Sequence, residues 1–382
     1  MSYSTSNYAA MIADKIRCQA YLQALEEAIE PGCTVLDIGT GTGYFALQAC
    51  RLGAGTVYAV DYNPAVRVAQ ELVQLNALDD RIQVIEDYST RITLPKQADV
   101  IVSDIRGRLP VINGHIEAIV DARQRHLAPG GVQIPLRDRI YAGLVTCPEY
   151  YTRRLCPWTA FPGEWDMTPW TWPMANSMMP PDFGSDALVS DTAEVACWDY
   201  GTIKSPTLDG EVALTVQKTG DCHGVLVWFD ASLTDTIGFG GLDAVANDMV
   251  YGSLFFPWPK PLRLATGDTV GVRLRANLVS GEYVWTWQSE LPPDGAGRRP
   301  RFEQSTLFSE PINLAQVRAL APDSAPGLTG EGLRSLFILS QIRAGATVKQ
   351  AAVALQAEYP DPSRTAQDVL HETQRVLRKF WL

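Results

Sequence analysis

Thr34-Val35-Leu36-Asp37-Ile38-Gly39-Thr40-Gly41-Thr42-Gly43-Tyr44-Phe45, followed by Val57-Tyr58-Ala59-Val60-Asp61, is the stretch that decides the fold. An apolar run of strand length enters a turn dense in glycine. A helical pattern follows, and a second apolar run closes on an acid. Glycines in such a turn let the backbone approach a ligand closely. The acid that ends the second strand is placed for ribose hydroxyls. The spacing of Gly39, Gly41 and Gly43 is GxGxG, not the GxGxxG of a dinucleotide site, and the phosphate-binding GxxxxGK[ST] is absent. Asp37, two residues before the first glycine, can meet a cationic amine, which S-adenosylmethionine has and NAD lacks. The pattern predicts an S-adenosylmethionine site built from Asp37, Gly39, Thr40, Gly41, Gly43, Asp61 and the adjoining Tyr62.

Outward from this stretch the alternation continues. Strands fit Thr34–Ile38, Thr56–Val60, Ile82–Ile85 and Val100–Ser103, and helices fit Gly43–Arg51, Pro64–Asn76 and His115–His126. Strands spaced by helices predict an α/β, Rossmann-like, doubly wound parallel sheet. Upstream, residues 7–29 carry apolar positions at helical spacing without an internal Pro or Gly. Downstream, Pro129-Gly130-Gly131 predicts a turn, and Gln133-Ile134-Pro135 leaves the domain. Asp87 and Ser89, after the third strand, are candidates for the adenine end of the ligand.

After residue 137 helical periodicity gives way to short β-rich runs separated by turn residues: Ile140–Val145, Glu194–Asp199, Val212–Thr215, Gly224–Asp230, Val270–Leu274 and Tyr283–Trp287. These predict a β-barrel or sandwich over 138–315. Within it, 157–183 is rich in Pro, Trp and Met, which fits either a loop packed on its own barrel or an arm docking on a second subunit. A last shift follows Pro322-Asp323-Ser324-Ala325-Pro326-Gly327, and 328–382 returns to helical periodicity. The chain thus divides into 1–137, 138–315 and 328–382. Its 382 residues exceed what one core holds.

Composition narrows the function classes. A net charge of −11 argues against a nucleic-acid partner, which needs clustered Lys and Arg to neutralise phosphates. Seven scattered cysteines without CxxC spacing suggest neither a disulfide framework nor a metal site. No signal core and no window of about 18 apolar residues is present, so a cytoplasmic protein without membrane contact is expected.

Further stretches carry a resemblance. Met11-Ile12-Ala13-Asp14-Lys15-Ile16-Arg17, Val35–Gly43 with Asp61, Leu127-Ala128-Pro129-Gly130-Gly131, Ile134-Pro135, Glu164-Trp165-Asp166-Met167, Cys222–Asp230 and Ala265-Thr266-Gly267-Asp268 together resemble the protein arginine methyltransferases in order and spacing. The resemblance implies a methyltransferase sheet followed by a β-barrel and a dimerisation arm, hence a homodimer. It implies that Met11 closes over the cofactor and that Arg17 pairs with the methionyl carboxylate. Tyr8 would also wall the site.

The acceptor loop departs from that family. Its members place a spaced pair of glutamates after the fourth strand to grip a guanidinium. Here Ser103-Asp104-Ile105-Arg106-Gly107 puts Asp104 in the first place, and nine residues on stands Asn113. The family's barrel His-Trp pair falls at Val250 and Tyr251. Arg106 and Arg108 enter the loop, and His115 and Glu117 follow it closely. The candidate catalytic residues are Asp104, Asn113, His115, Glu117 and Arg106, with Asp104 positioning the acceptor or serving as its base. Loss of one carboxylate leaves a site that suits a less cationic acceptor as well as arginine.

Residues 338–373 resemble a small winged-helix, PqqD-like domain that recognises leader segments of peptide natural products by adding a strand to an exposed edge. Together these readings predict N-methylation of a peptide or an amino acid. Transfer to a small-molecule hydroxyl or carboxylate, and a catalytically silent binding partner, are the alternatives.

Overall fold

The computed structural model describes residues 5–112, 114–157, 165–244, 246–247, 249–279, 281–293, 297–310, 323–325 and 327–380. It falls into two units, Met1–Pro311 and Ile312–Leu382.

The first unit opens with α1 (Thr5–Ala13) and α2 (Lys15–Ala28), then β1 (Thr34–Ile38), α3 (Tyr44–Arg51), β2 (Thr56–Asp61), α4 (Val66–Leu75), β3 (Ile82–Glu86), β4 (Ala98–Ser103), α5 (His115–Arg125) and β5 (Leu127–Ile134). The five strands form one parallel sheet in the order β3-β2-β1-β4-β5. β1 is buried at every position, as expected of a strand covered on both faces. The chain leaves β1 for β2 on one side, while β4 lies on its other side. The crevice between their carboxyl ends is the switch point where ligands of open α/β sheets bind.

Two expectations change here. Residues 7–29 are two helices, because the Asp14 carboxylate accepts from the Arg17 backbone N–H at 3.0 Å and caps α2. Pro129-Gly130-Gly131 lies inside β5 and not in a turn: Gly130 takes a positive φ of 78°, and the β4–β5 register shifts beside it.

The same unit continues with β6 (Arg137–Val145), α6 (Pro148–Leu155), α7 (Thr171–Ala175), β7 (Leu188–Asp199), β8 (Leu208–Thr215), β9 (Gly220–Ser232), β10 (Gly238–Gly240), β11 (Ser253–Leu264), β12 (Thr269–Val279), β13 (Glu282–Glu290) and β14 (Arg301–Ser305). One antiparallel sheet runs β10-β9-β6-β7, with β11 also on β9, and a second runs β14-β13-β12-β8. Phe256 of β11 meets Trp285 and Trp287 of β13 with ring centroids 5.3 and 5.2 Å apart, so the two sheets face each other over an aromatic core. Polar groups within that core are bonded: Trp258 Nε1–H donates to Ser289 Oγ at 2.9 Å and Trp287 Nε1–H to the Pro257 carbonyl at 3.1 Å.

The second unit is three helices, α8 (Gly330–Arg343), α9 (Val348–Glu358) and α10 (Ala366–Phe380). Ile338, Ala352, Leu355, Val369, Val376 and Leu377 form its core. Thr347 and Gln350 make a reciprocal capping box at the start of α9. Glu372 of α10 accepts from Arg334 of α8 at 3.0 Å and pairs with Arg364 at 2.6 Å. Among the described residues this unit contains no strand.

Candidate active site

β1 and β4 run in parallel with Ile38 opposite Ser103. Gly39 and Asp104 therefore leave the sheet side by side, and the glycine turn and the acceptor loop face one crevice. Gly39 and Gly41 take φ of 75° and 54°. A Cβ on Gly39 would lie 2.2 Å from Ile105 Cγ2, and one on Gly41 2.8 Å from Tyr8 Cε1. Only glycine admits that backbone and those close neighbours. Tyr8, on α1, thus covers the turn.

Around this turn the acids are poised for a ligand. Asp61 Oδ2 accepts from Gly41 N–H at 2.9 Å and Oδ1 from Asn63 N–H at 2.8 Å. Each oxygen keeps a further lone pair, as two ribose hydroxyls require. Burial raises the Asp61 carboxyl, against those N–H groups. Asp37 Oδ2 accepts from the Thr40 hydroxyl at 2.6 Å. Full burial pushes its carboxyl up to about 7, the Thr40 bond opposing. A cationic amine would supply the charge that this carboxylate lacks. Tyr62 and Tyr88, both about half exposed, stack in parallel with centroids 4.6 Å apart. They offer aromatic surface beside Asp61 and Asp87. Asp87 accepts from Tyr88 N–H at 2.7 Å, while the buried Ser89 turns its carbonyl to Arg125 at 3.2 Å.

The acceptor side is a closed hydrogen-bonded cluster. Asp104 Oδ2 pairs with Arg17 Nη1. Its Oδ1 accepts from Arg106 Nη1 at 3.2 Å and from Tyr251 Oη, while the single Tyr21 hydroxyl proton is shared between the Ser103 carbonyl at 2.9 Å and Oδ1 at 3.2 Å. Behind it, Arg106 grips Asp138 with two bonds, Nε to Oδ2 at 2.7 Å and Nη2 to Oδ1 at 2.9 Å, and donates to Tyr21 Oη at 2.6 Å. Tyr200 Oη completes the Asp138 shell at 2.6 Å. Burial opposes the charge on Arg106, but Asp138 beside it holds the guanidinium protonated beyond its usual range. Arg17 is treated alike: burial lowers and Asp104 raises, with the net upward. Arg17 also donates through Nη2 to the Met11 carbonyl, while its buried Nε, 4.0 Å from Asp14, makes no hydrogen bond. Nε is thus a buried donor without a hydrogen-bond partner.

Of the residues singled out from sequence, the structure brings Asp104, Arg106, Arg17 and Met11 together on one side, and Asp37, Thr40, the three glycines and Asp61 on the other. His115 is buried, its Nδ1 2.7 Å from the Pro110 carbonyl and its ring 5.4 Å from Tyr200. Burial lowers its pKa to about 4. It sits behind the cluster, without a bond to Asp104. Glu117 is exposed on α5 and is not brought to Asp104; the first turn of α5 carries it to the outer face. Asn113 lies outside the described residues. Arg108 is exposed, its Nη1 3.6 Å from where a Cβ on Gly252 would stand.

Sequence reasoning missed Tyr21, Asp138, Tyr200 and the positive role of Tyr251. One signal was available: Asp138 shares its strand face with Ile140, Ala142 and Leu144, all fully buried. A carboxylate in an inward period-two position demands a partner. Val250 and Tyr251, where the His-Trp pair was expected to be lost, still reach the site: Val250 N–H donates to Asp14 Oδ2 at 3.0 Å and Tyr251 to Asp104.

Comparisons agree with this geometry. Residues 18–135 match the ribosomal protein L11 methyltransferase (PrmA) family. An arginine N(omega)-methyltransferase from Streptomyces achromogenes subsp. streptozoticus is 27% identical over 282 residues, spanning 69% of this chain and 74% of that protein. Protein arginine N-methyltransferase 6 of Danio rerio is 30% identical over 232 residues, 57% of this chain and 66% of that protein. Among solved structures, the Trypanosoma brucei PRMT1 enzyme–prozyme complex with AdoHcy superposes with a TM-score of 0.70 at 20% identity, covering 78% of this chain and 96% of that one. Arabidopsis thaliana protein arginine methyltransferase 10 gives 0.68 at 22%, covering 79% and 97%. The chain is similar in sequence to protein arginine methyltransferases and carries the Rossmann-like methyltransferase fold of those structures.

Proposed function

We propose that the protein is an S-adenosylmethionine-dependent N-methyltransferase acting on a peptide or an amino acid. The observation that carries this reading is the adjacency of two half-sites, the Asp37–Gly41–Asp61 cradle and the Asp104 cluster, at the paired ends of β1 and β4. Asp61 would hold the ribose, Asp37 the amine and Arg17 the carboxylate of the cofactor. When bound, the cofactor supplies an electrophilic methyl on a sulfonium. The protein aligns the acceptor nitrogen with it and excludes water, and orientation of this kind supplies most of the acceleration. Asp104 positions the acceptor, and Tyr8 and Ile105 close the approach over the turn. The relatives' names point to arginine, which makes it the first acceptor to assay.

We also propose a homodimer through 157–183. Residues 158–164 lie outside the described residues, but Trp165, Trp170 and Trp172 beyond them are exposed, an apolar surface of the kind an interface covers. No helix among the described residues is long and apolar enough to cross a membrane. Five of the seven cysteines are buried thiols, which suits a reducing compartment such as the cytoplasm.

Isothermal titration with S-adenosylhomocysteine tests the cradle, and transfer of labelled methyl into peptides and amino acids tests the activity. Absence of cofactor binding would leave a silent scaffold as the better account. A monomer by light scattering at micromolar concentration would remove the dimer.

A further inference from the structure

The two oxygens of a carboxylate exchange by rotation about χ2, a broad and roughly two-fold torsion. At Asp104 they are not equivalent. Oδ2 has one protein partner, Arg17 Nη1, which belongs to the residue assigned above to the cofactor. Oδ1 is held from the interior, by Arg106 Nη1 at 3.2 Å and by Tyr251 Oη, with a share of the Tyr21 hydroxyl proton. Whatever fixes these partners fixes the direction in which Oδ2 points.

Arg106 is itself held along one edge. Its Nε and Nη2 donate side by side to Asp138 at 2.7 and 2.9 Å, which leaves Nη1 as the corner turned to Asp104 and to Tyr21. A planar guanidinium gripped through two of its nitrogens cannot swing the third. The rings of Phe229 and Phe239 lie 5.7 and 5.9 Å from its Cζ. Asp138 stands within β6, opposite Trp198 of β7 on one side and Ala231 of β9 on the other, and its Oδ2 also takes the Tyr200 hydroxyl at 2.6 Å. The side chains of Arg106 and Asp138 are both fully buried. A continuous relay therefore runs from the interior of an antiparallel sheet to a carboxylate at the end of β4, which belongs to the parallel one.

Burying such a pair is expensive, and apolar residues of similar volume often support a fold as well or better. Stability is a poor reason to keep it, and aim is a better one. Resting on the methyltransferase reading above, we propose that Asp138, acting through Arg106, is a positioning residue for the acceptor: it pins Oδ1 of Asp104 so that Oδ2 alone is presented to the incoming nitrogen. Neither Asp138 nor Arg106 touches the acceptor. The role holds for any acceptor that gives an N–H to Oδ2.

Two variants of the full chain separate aim from charge and from support. R106M/D138L/Y200F replaces the relay with apolar groups and leaves no member of it stranded. R106K keeps a cation beside Asp104 but cannot grip Asp138 along a planar edge. Both should fold and bind S-adenosylhomocysteine within about two-fold of wild type by calorimetry. Both should lose about ten-fold or more in kcat for labelled methyl transfer at saturating cofactor, the scale of a misplaced reacting group. The probes are N-acetylarginine methylamide, N-acetyllysine methylamide and N-acetylhistidine methylamide, and the one that wild type methylates fastest serves for the comparison. Crystals with S-adenosylhomocysteine should show one orientation of the Asp104 carboxylate in wild type and more than one in each variant. Wild-type kcat in the folded triple variant overturns the proposal. So does wild-type kcat in R106K, because charge alone would then suffice. Failure of both variants to fold makes the pair a support of the fold and also overturns it. If wild type binds S-adenosylhomocysteine but methylates none of the probes, the N-methyltransferase reading is at fault, and the orientation of Asp104 in the crystals decides the positioning role. Failure of wild type to bind S-adenosylhomocysteine overturns the reading beneath.

Discussion

The two halves of the site are built by opposite means. The cofactor half is short in sequence and open in chemistry: β1, its glycine turn and the end of β2 supply it from residues 37 to 61, with lone pairs to spare on Asp61 and a near-neutral carboxyl at Asp37. The acceptor half is gathered from residues as distant as Arg17, Asp104, Asp138, Tyr200 and Tyr251, and its donors and acceptors are matched to one another. An open cradle gains by binding. A closed cluster must be unlocked before it can bind, and that is where selectivity is set.

This contrast breaks most sharply at Asp104. Asp104→Asn should lower methyl transfer by at least about a hundred-fold, the scale of a lost positioning or proton-transfer group, while cofactor affinity stays nearly unchanged. Parallel turnover and calorimetry check it, and wild-type turnover would place the acceptor elsewhere. Asp61→Ala should do the reverse, weakening cofactor binding by about 1.5–3 kcal/mol for lost charged hydrogen bonds with the fold intact. Unchanged affinity by calorimetry would remove Asp61 from the cradle.

Each half carries a buried group whose titration is moved by folding, His115 behind the closed half and Asp37 in the open one. His115 is held neutral with a pKa near 4, against about 6.5 in an unfolded chain. The unfolded state therefore takes up a proton first as pH falls. The His115 contribution is complete above about pH 6.5 and declines below it, by about 2 kcal/mol between pH 7 and pH 5, while Asp37, raised to about 7, contributes in the opposite sense over the same interval. Denaturant titrations of wild type and His115→Gln at the two pH values measure this: the wild type should lose about 2 kcal/mol more than the variant between pH 7 and pH 5, and equal changes would remove the His115 part. The smallest effect belongs to the open half. With its carboxyl at about 7, Asp37 should shed a fraction of a proton when the cofactor's amine arrives. Calorimetry at pH 7 in buffers of different ionisation heat would show that release, and Asp37→Asn should abolish its Asp37 part.

The same contrast explains what the sequence disclosed. The cradle is contiguous, and each of its residues has a backbone reason to be where it is, so pattern and spacing reach it directly. Asp104 is legible because it ends a strand beside that pattern. Tyr21, Asp138 and Tyr200 are not, because no local rule links a tyrosine on α2 to an acid on β6. β11 is absent from the predicted runs for another reason: Pro257, Pro259 and Pro261 break a strand pattern. The strand pairs with β9, and its register shifts between Pro257 and Leu262, which accommodates residues that cannot donate to a ladder. The division of 7–29 into two helices turned on one side chain, Asp14, which a periodicity cannot weigh.

That side chain has a wider consequence. Asp14 caps α2 with one oxygen and takes the Val250 N–H with the other. The helix pair that covers the cofactor turn is thereby riveted to the barrel segment that presents Tyr251. A tilt of α2 would have to stretch that bond or carry the Val250 segment with it. Removing the rivet, as in Asp14→Ala, would therefore cost more than a helix cap: it would also free the backbone of the segment that presents Tyr251.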